Sequence, residues 1–329
     1  MDDGISADMS VVLVTPGHYD AIRQTMRHLS AQTVRKRLEI VIVAPFIEKL
    51  SLDESELKHF LCFRVVEVGE IKSTGRAIAA GVQQASAPLV AYAEEHTYPD
   101  PGWAEALIET HRQPWAAVGA VIANANPGNI ISWANLFTDF GPWVEPALAG
   151  ETIRLPWHHT AYKRTILLEY GARLLTMLET EGILHADLLA KGYRLYLEPA
   201  AKTNHVNISL LSSYVSAEFH GGRMYGATRA RNGHWSIFRR LLYIGGMPLI
   251  PLLRLQRVLQ EIGRSGRKRE LIPRVLPALI MGLVAHAIGE VTGYSLGAGS
   301  AARRRVGFEL SRHTHISAQD KRNLCSVLS

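Results

Sequence analysis

Three residues in a row, Glu94-Glu95-His96, close an apolar β-rich run at Pro88–Glu94 and precede the turn Pro99-Asp100-Pro101-Gly102-Trp103. Carboxylates and an imidazole at the tip of a buried strand are costly unless they are solvated, paired or bound to a metal. A carboxylate oxygen of Glu94 and a ring nitrogen of His96, two positions apart, can face one divalent cation, Mg²⁺ or Mn²⁺. The imidazole, as the softer donor, tilts the preference toward Mn²⁺ or another transition metal. The other reading of the triplet is a solvated polar turn. Asp100, beside Pro101, reads as a turn residue rather than a ligand.

The elements that must position these groups alternate along the first two hundred residues. Ser10–Pro16, Leu38–Pro45, Phe63–Val68 and Pro88–Glu94 are compact β-branched or apolar runs, each ended by a break. Between them, Asp20–Gln32 and Gly75–Ala85 carry helical spacing. Nearly continuous apolar strands alternating with helices predict an α/β fold with a mostly parallel sheet covered on both faces. In such sheets functional groups gather at the carboxyl ends of the strands.

Length and composition bound the rest. The 329 residues, 47% hydrophobic and 20% charged, fit one large or two modest globular domains and exclude a disordered or collagen-like chain. Only Cys62 and Cys325 are present, too few for a disulfide framework or a cysteine zinc site. The acidic start, MDDGISADMS, lacks the pattern of a signal peptide, which makes the cytoplasm the expected compartment. Charge is uneven: residues 1–220 hold 18 Lys/Arg against 25 Asp/Glu, and residues 221–329 hold 18 against 5. A basic tail of this kind seeks a polyanion, either nucleic acid or an anionic membrane face. It also contains two apolar runs, Leu241–Leu253 between Arg240 and Arg254, and Val275–Gly289 between Arg274 and Glu290, with the cationic stretch Arg264–Glu270 between them. Both are shorter than the ~20 residues of a spanning helix, and prolines 248, 251 and 277 would kink them. Segments of this kind fit helices lying in one leaflet; the alternative is core helices packed on the α/β body. No nucleic-acid motif accompanies the charge, so a membrane surface is the expected partner and nucleic acid is not.

The stretch from Ser73 to Leu107, with its Gly–Ala helix, buried strand, acidic triplet and Pro-x-Pro-x-Trp turn, resembles the nucleotide-sugar-binding half of family 2 glycosyltransferases, which have the GT-A fold. The resemblance covers roughly residues 10–210. Aligned on Pro99–Trp103, Glu94 and His96 occupy the acidic positions of the family's DXD motif and Glu95 the middle one, a Glu-Glu-His variant. Leu155–Gly171 resembles the segment that opens the acceptor side, which puts His158 and His159 where donor diphosphate or acceptor contacts occur. Leu178–Asn207 resembles the segment bearing the catalytic base. Counting back from Gly192 makes Glu181 the base, with Glu179 and Asp187 as alternatives. The late His205 would approach the metal or the diphosphate, or else be a structural histidine. Thr15, Pro16, Gly17, His18 and Gly75 fall where the donor is gripped.

The resemblance implies an inverting, metal-assisted transfer from a nucleotide sugar (UDP-sugar or another NDP-sugar) to a glycan or lipid-linked acceptor at the cytoplasmic face of the cell membrane. Residues 1–225 would form the catalytic domain and residues 226–329 a helical, membrane-associating region. The chain departs from the pattern at Ala44-Pro45, where nucleobase-contacting acids usually stand, and lacks the processive Gln-x-x-Arg-Trp signature, so single addition is expected. A non-catalytic scaffold or sugar-nucleotide-binding subunit is the main rival. A nucleotidyltransferase is weakened by the want of a Gly-rich, Lys-containing phosphate loop.

Overall fold

The computed structural model describes residues 6–179 and 181–326, and within the helices it leaves the side chains of Glu181, Cys325 and Ser326 undescribed. Most of the acidic start, residues 1–5, therefore lies outside the described residues. The chain divides into two compact units, residues 1–123 with 145–205, and residues 124–144 with 206–329.

The first unit is built on a nine-stranded sheet: β1 (Met9–Val14), β2 (Leu38–Ala44), β3 (Cys62–Glu67), β4 (Leu89–Ala93), β5 (Thr97–Pro99), β6 (Ala117–Asn124), β7 (Gly150–Thr152), β8 (Thr160–Lys163) and β9 (Leu195–His205). The spatial order is β3-β2-β1-β4-β8-β6-β9-β5, with β7 beside β9. β3, β2, β1 and β4 run parallel, as the apolar runs predicted. From β8 onward the recorded pairings are antiparallel, so the sheet is mixed and its parallel part is the N-terminal half.

Helices α1 (Arg23–Ser30), α2 (Glu54–Leu57), α3 (Thr74–Gln84) and α4 (Trp103–Thr110) connect the early strands, while α6 (Arg164–Leu168), α7 (Leu174–Glu179) and α8 (Glu181–Ala190) connect β8 to β9. Ser73 caps α3 by accepting from the Arg76 amide at 3.3 Å. A Cβ at Gly81 would meet Val12 and Val43, so the lack of a side chain there lets α3 lie close on β1 and β2. Val11, Val12, Leu13, Ile40, Val41 and Ile42 are fully buried, each contributing roughly 1.5–3 kcal/mol of hydrophobic stabilisation. Glu39, a carboxylate deep in this sheet, accepts from Ser10 Oγ, the Ser86 amide and Arg64. Burial pushes its pKa up, but these donors outweigh it and hold the group below the usual carboxylate range.

The second unit is helical: α5 (Ile130–Phe140), α9 (Leu211–Asn232), α10 (Ile237–Gly245), α11 (Leu249–Arg264), α12 (Lys268–Leu296), α13 (Ala301–Leu310) and α14 (Ala318–Ser326). α9 spans the 225/226 boundary that composition suggested. α9 and α12 run side by side in the same direction, with Gly222 opposite His286 and Gly226 opposite Glu290. A Cβ at Gly222, Gly226, Gly289 or Gly293 would collide with the partner helix's backbone, so the two backbones touch at all four. The second apolar run does not stand alone as a short segment: it is the middle of α12, 29 residues with Pro273 and Pro277 in its interior. Arg274 and Glu290, which bracket the run, do not end the helix. α9 packed along α12 carries the helix through them. By length and composition α12 could cross a membrane, although its α9-facing side is buried within the protein.

Candidate active site and metal centre

Four groups from three places in the sequence meet at the carboxyl end of β4. The turn from Glu94 to Thr97 is tied down twice: the Glu94 amide donates to Thr97 Oγ1 at 3.1 Å, and the Thr97 amide donates to the Glu94 carbonyl at 3.2 Å. Thr25 Oγ1 on α1 donates to the same carbonyl at 3.0 Å. The turn leads directly into β5, where Thr97 pairs with His205 at the end of β9. On the other side, β4 pairs with β8 through Ala91 and Ala161, a register that carries His159 opposite Ala93. Three chain segments far apart in sequence thus end at one point, fixed by backbone pairing rather than by loops.

Glu94 Oε2 is the centre of the cluster. His159 Nε2 lies 3.4 Å from it, and His205 Nε2 and His96 Nε2 each lie 3.7 Å away. His96 Nε2 is also 3.2 Å from His205 Nε2, and its Nδ1 is 3.6 Å from Glu95 Oε1. His96, His159, His205 and Glu95 are buried, whereas the Glu94 side chain keeps 13% exposure. Burial, and secondarily the neighbouring His158, push the His159 pKa down to about 3, so its imidazole is neutral at physiological pH.

The donor set fits a divalent transition metal. Ligand atoms of Glu94, His159 and His205 all lie within 4.8 Å of one another. Donors about 2.0–2.2 Å from a tetrahedral ion stand roughly 3.3 Å apart, close to the separations observed. One carboxylate and neutral imidazoles suit Mn²⁺, Zn²⁺ or Fe²⁺ better than Mg²⁺, which prefers all-oxygen shells. A three-residue set leaves coordination positions open, the pattern of catalytic rather than structural sites. Glu95 Oε1 stands 3.6 Å from His96 Nδ1, longer than a hydrogen bond but where a carboxylate orients an imidazole around such sites.

The expected ligands Glu94, His96 and His205 are therefore brought together, and His159, expected among the donor contacts, joins them. His158 is half-buried and adopts a positive φ of 59°. Thr15 is buried at the end of β1 and donates to the His18 carbonyl at 2.9 Å; Gly17 takes a positive φ of 139°, and His18 is exposed. Gly75 is a packing position: a Cβ there would fall 2.5 Å from the Leu178 carbonyl oxygen. Of the base candidates, Glu179 pairs with Arg76 Nε at 2.9 Å. Asp187 accepts from Tyr170 OH at 2.6 Å and pairs with Lys191 at 3.0 Å, contacts that hold its pKa below the usual carboxylate range. Glu181 begins α8, and its side chain lies outside the described residues. Asn204 Nδ2 donates to Asp100 Oδ1 at 2.7 Å, which fixes Asp100 as part of the turn.

No family model and no curated protein matches this chain. Among solved structures it is similar to the crystal structure of S. aureus TarS 1-349 in complex with UDP, at 13% identity and a TM-score of 0.44, covering 87% of this chain and 90% of that one. A likeness at that level leaves the functional reading to this chain's own residues.

Proposed function

We propose that the chain is a GT-A-type glycosyltransferase that moves a sugar from a nucleotide sugar, a UDP-sugar or another NDP-sugar, to a glycan or lipid-linked acceptor. The observation that carries this reading is the meeting of Glu94, His159 and His205 at the end of β4, with His96 beside them. It lies at the carboxyl edge of the parallel half of the sheet, where α/β folds bind their ligands. Glu94, His159 and His205 would hold a divalent ion, with His96 positioned by Glu95 beside it. Bound there, such an ion supplies Lewis acidity that offsets the charge developing on a departing diphosphate.

The chain's own residues do the rest. The turns at Thr15–His18 and His158 border the donor. Glu181, with Glu179 and Asp187 as alternatives, accepts the acceptor hydroxyl proton as that oxygen attacks the anomeric carbon. Attack opposite the leaving diphosphate inverts the anomeric centre. Glu179 is engaged by Arg76, and the contacts of Asp187 with Tyr170 and Lys191 hold its carboxyl below the usual range, which favours Glu181. An acceptor at the cytoplasmic face of a membrane accounts for the basic, apolar-studded C-terminal helices.

The test is a panel of nucleotide sugars with Mn²⁺, Zn²⁺ or Mg²⁺, read by donor binding and by release of the nucleoside diphosphate. Metal-dependent binding that Glu94→Ala removes, and turnover that Glu181→Gln abolishes with binding intact, are expected. Full turnover in Glu94→Ala overturns the reading. Binding without turnover on every acceptor tried would instead establish the second reading, a sugar-nucleotide-binding subunit, which the engaged carboxylates of Glu179 and Asp187 favour.

A further inference from the structure

The helical unit has its polarity reversed. Between α9 and α12, Glu218 Oε2 pairs with His286 Nδ1 at 3.0 Å, His286 Nε2 with Glu290 Oε1 at 3.4 Å, and Tyr294 OH donates to Glu290 Oε2 at 2.9 Å. Glu218, Glu290 and Tyr294 are buried. The outward faces are apolar instead. On α10, Phe238 is 81% and Leu242 73% exposed; on α11, Leu249 is 60% and Leu252 62% exposed; on α12, Met281 and Ile288 stand open. Soluble proteins rarely leave neighbouring apolar side chains uncovered on such a scale, because each exposed side chain forgoes roughly 1.5–3 kcal/mol of burial.

Charge identifies what covers this face. Residues 237–274 hold nine Lys/Arg against two Glu, but none of either lies between Arg240 and Arg254. The apolar stretch from the end of α10 through Gly245-Gly246-Met247-Pro248 to the start of α11 is thus bracketed by cations, and Arg257 is exposed on the same helix as Leu249 and Leu252. A second copy of the chain would set like charges against each other. A bilayer with anionic headgroups pairs with the arginines while its acyl region takes the apolar tip. α10 and α11, of 9 and 16 residues, are about 14 and 24 Å long, too short to cross a hydrocarbon core of about 30 Å.

We propose that the tip formed by the end of α10 and the start of α11 inserts into one leaflet of an anionic bilayer, with the exposed Arg239 and Arg257 at headgroup level. This surface is independent of the sugar-transfer reading, since it is read with neither donor nor metal present.

The experiment is flotation of the full chain with phosphatidylcholine vesicles and with vesicles containing about one-third phosphatidylglycerol. The expected result is binding to the anionic vesicles that 0.5 M salt weakens. Leu242→Ser with Leu249→Ser should lower partitioning at least tenfold, and Arg239→Gln with Arg257→Gln should do so on anionic vesicles only. The thermal midpoint of each variant should match the wild type, because the altered side chains are exposed. Glu94→Ala should float as the wild type does, even if no donor ever binds. Equal binding to zwitterionic and anionic vesicles overturns the anionic partner. Unchanged flotation of the serine variant overturns the tip. A chain that ignores vesicles and sediments as a dimer, split by Leu242→Glu, overturns the membrane in favour of a second copy.

Discussion

In the sheet unit, Val11, Leu13, Ile40 and Ile42 face inward and the titratable cluster sits at a strand edge, whereas the helical unit keeps Glu218, His286 and Glu290 between α9 and α12 and turns Leu242 of α10, Leu252 of α11 and Ile288 of α12 outward. The first arrangement buries its hydrocarbon and keeps its cluster at a rim. The second buries charged groups and leaves hydrocarbon exposed, which is the ground of the membrane proposal. One chain thus carries a candidate chemical site on an apolar core and a face that, under that proposal, lipid complements.

That contrast can be broken in several places. The largest effect belongs to the cluster: Glu94→Ala or His205→Ala should weaken Mn²⁺ or Co²⁺ binding by about a hundredfold or more, read by calorimetric titration, while leaving the helical unit's circular dichroism unchanged. Next is packing. Leu13→Ala, in the sheet, should cost about 2–5 kcal/mol in urea denaturation. Gly289→Leu, whose Cβ would collide with the Phe219 carbonyl, should cost about 3 kcal/mol and act through the α9–α12 pair.

A third effect depends on pH. Burial lowers both His111 and His185 from 6.5 to about 4. The unfolded chain therefore takes up protons that the folded chain refuses. Stability from these residues is complete above pH 6.5 and falls as pH drops toward 4, by about 2 kcal/mol per histidine between pH 7 and 5. Denaturation at the two pH values checks this, and His185→Gln should flatten the slope by one residue's share. The smallest effect sharpens the comparison most: Leu242→Ser, on the exposed face of α10, should change stability in water by less than about 0.5 kcal/mol. A loss of 2 kcal/mol or more would show that this face is covered by protein after all.

Much of the sheet unit was legible because its signals are local. Four apolar runs gave β1 to β4, and the helical spacing of Gly75–Ala85 gave α3. Glu94 and His96 by type and spacing, and His205 through the resemblance, were legible as candidate ligands, and the structure brings the three together. The role of His159 was not, because it depends on the register of β8 against β4, a pairing between residues about seventy positions apart that no local pattern encodes. α12 was half legible: the uncharged run marked its middle, but its full length follows from glycine-to-backbone packing against α9. The inward placement of Glu218, His286 and Glu290 was invisible for the same reason, since which side of a helix is inside depends on its neighbour.

The absent methyl at residue 75 has a consequence for the helix packed against it. α3 and α7 touch through bare backbone at Gly75 and Leu178, three residues before the start of α8. The clearance there is smaller than one carbon atom. A methyl added by Gly75→Ala would press on the Leu178 carbonyl oxygen, so α7 would have to move off α3 and the helix pair would loosen. Drift at this position would weaken that seam while every recognisable motif stayed in place.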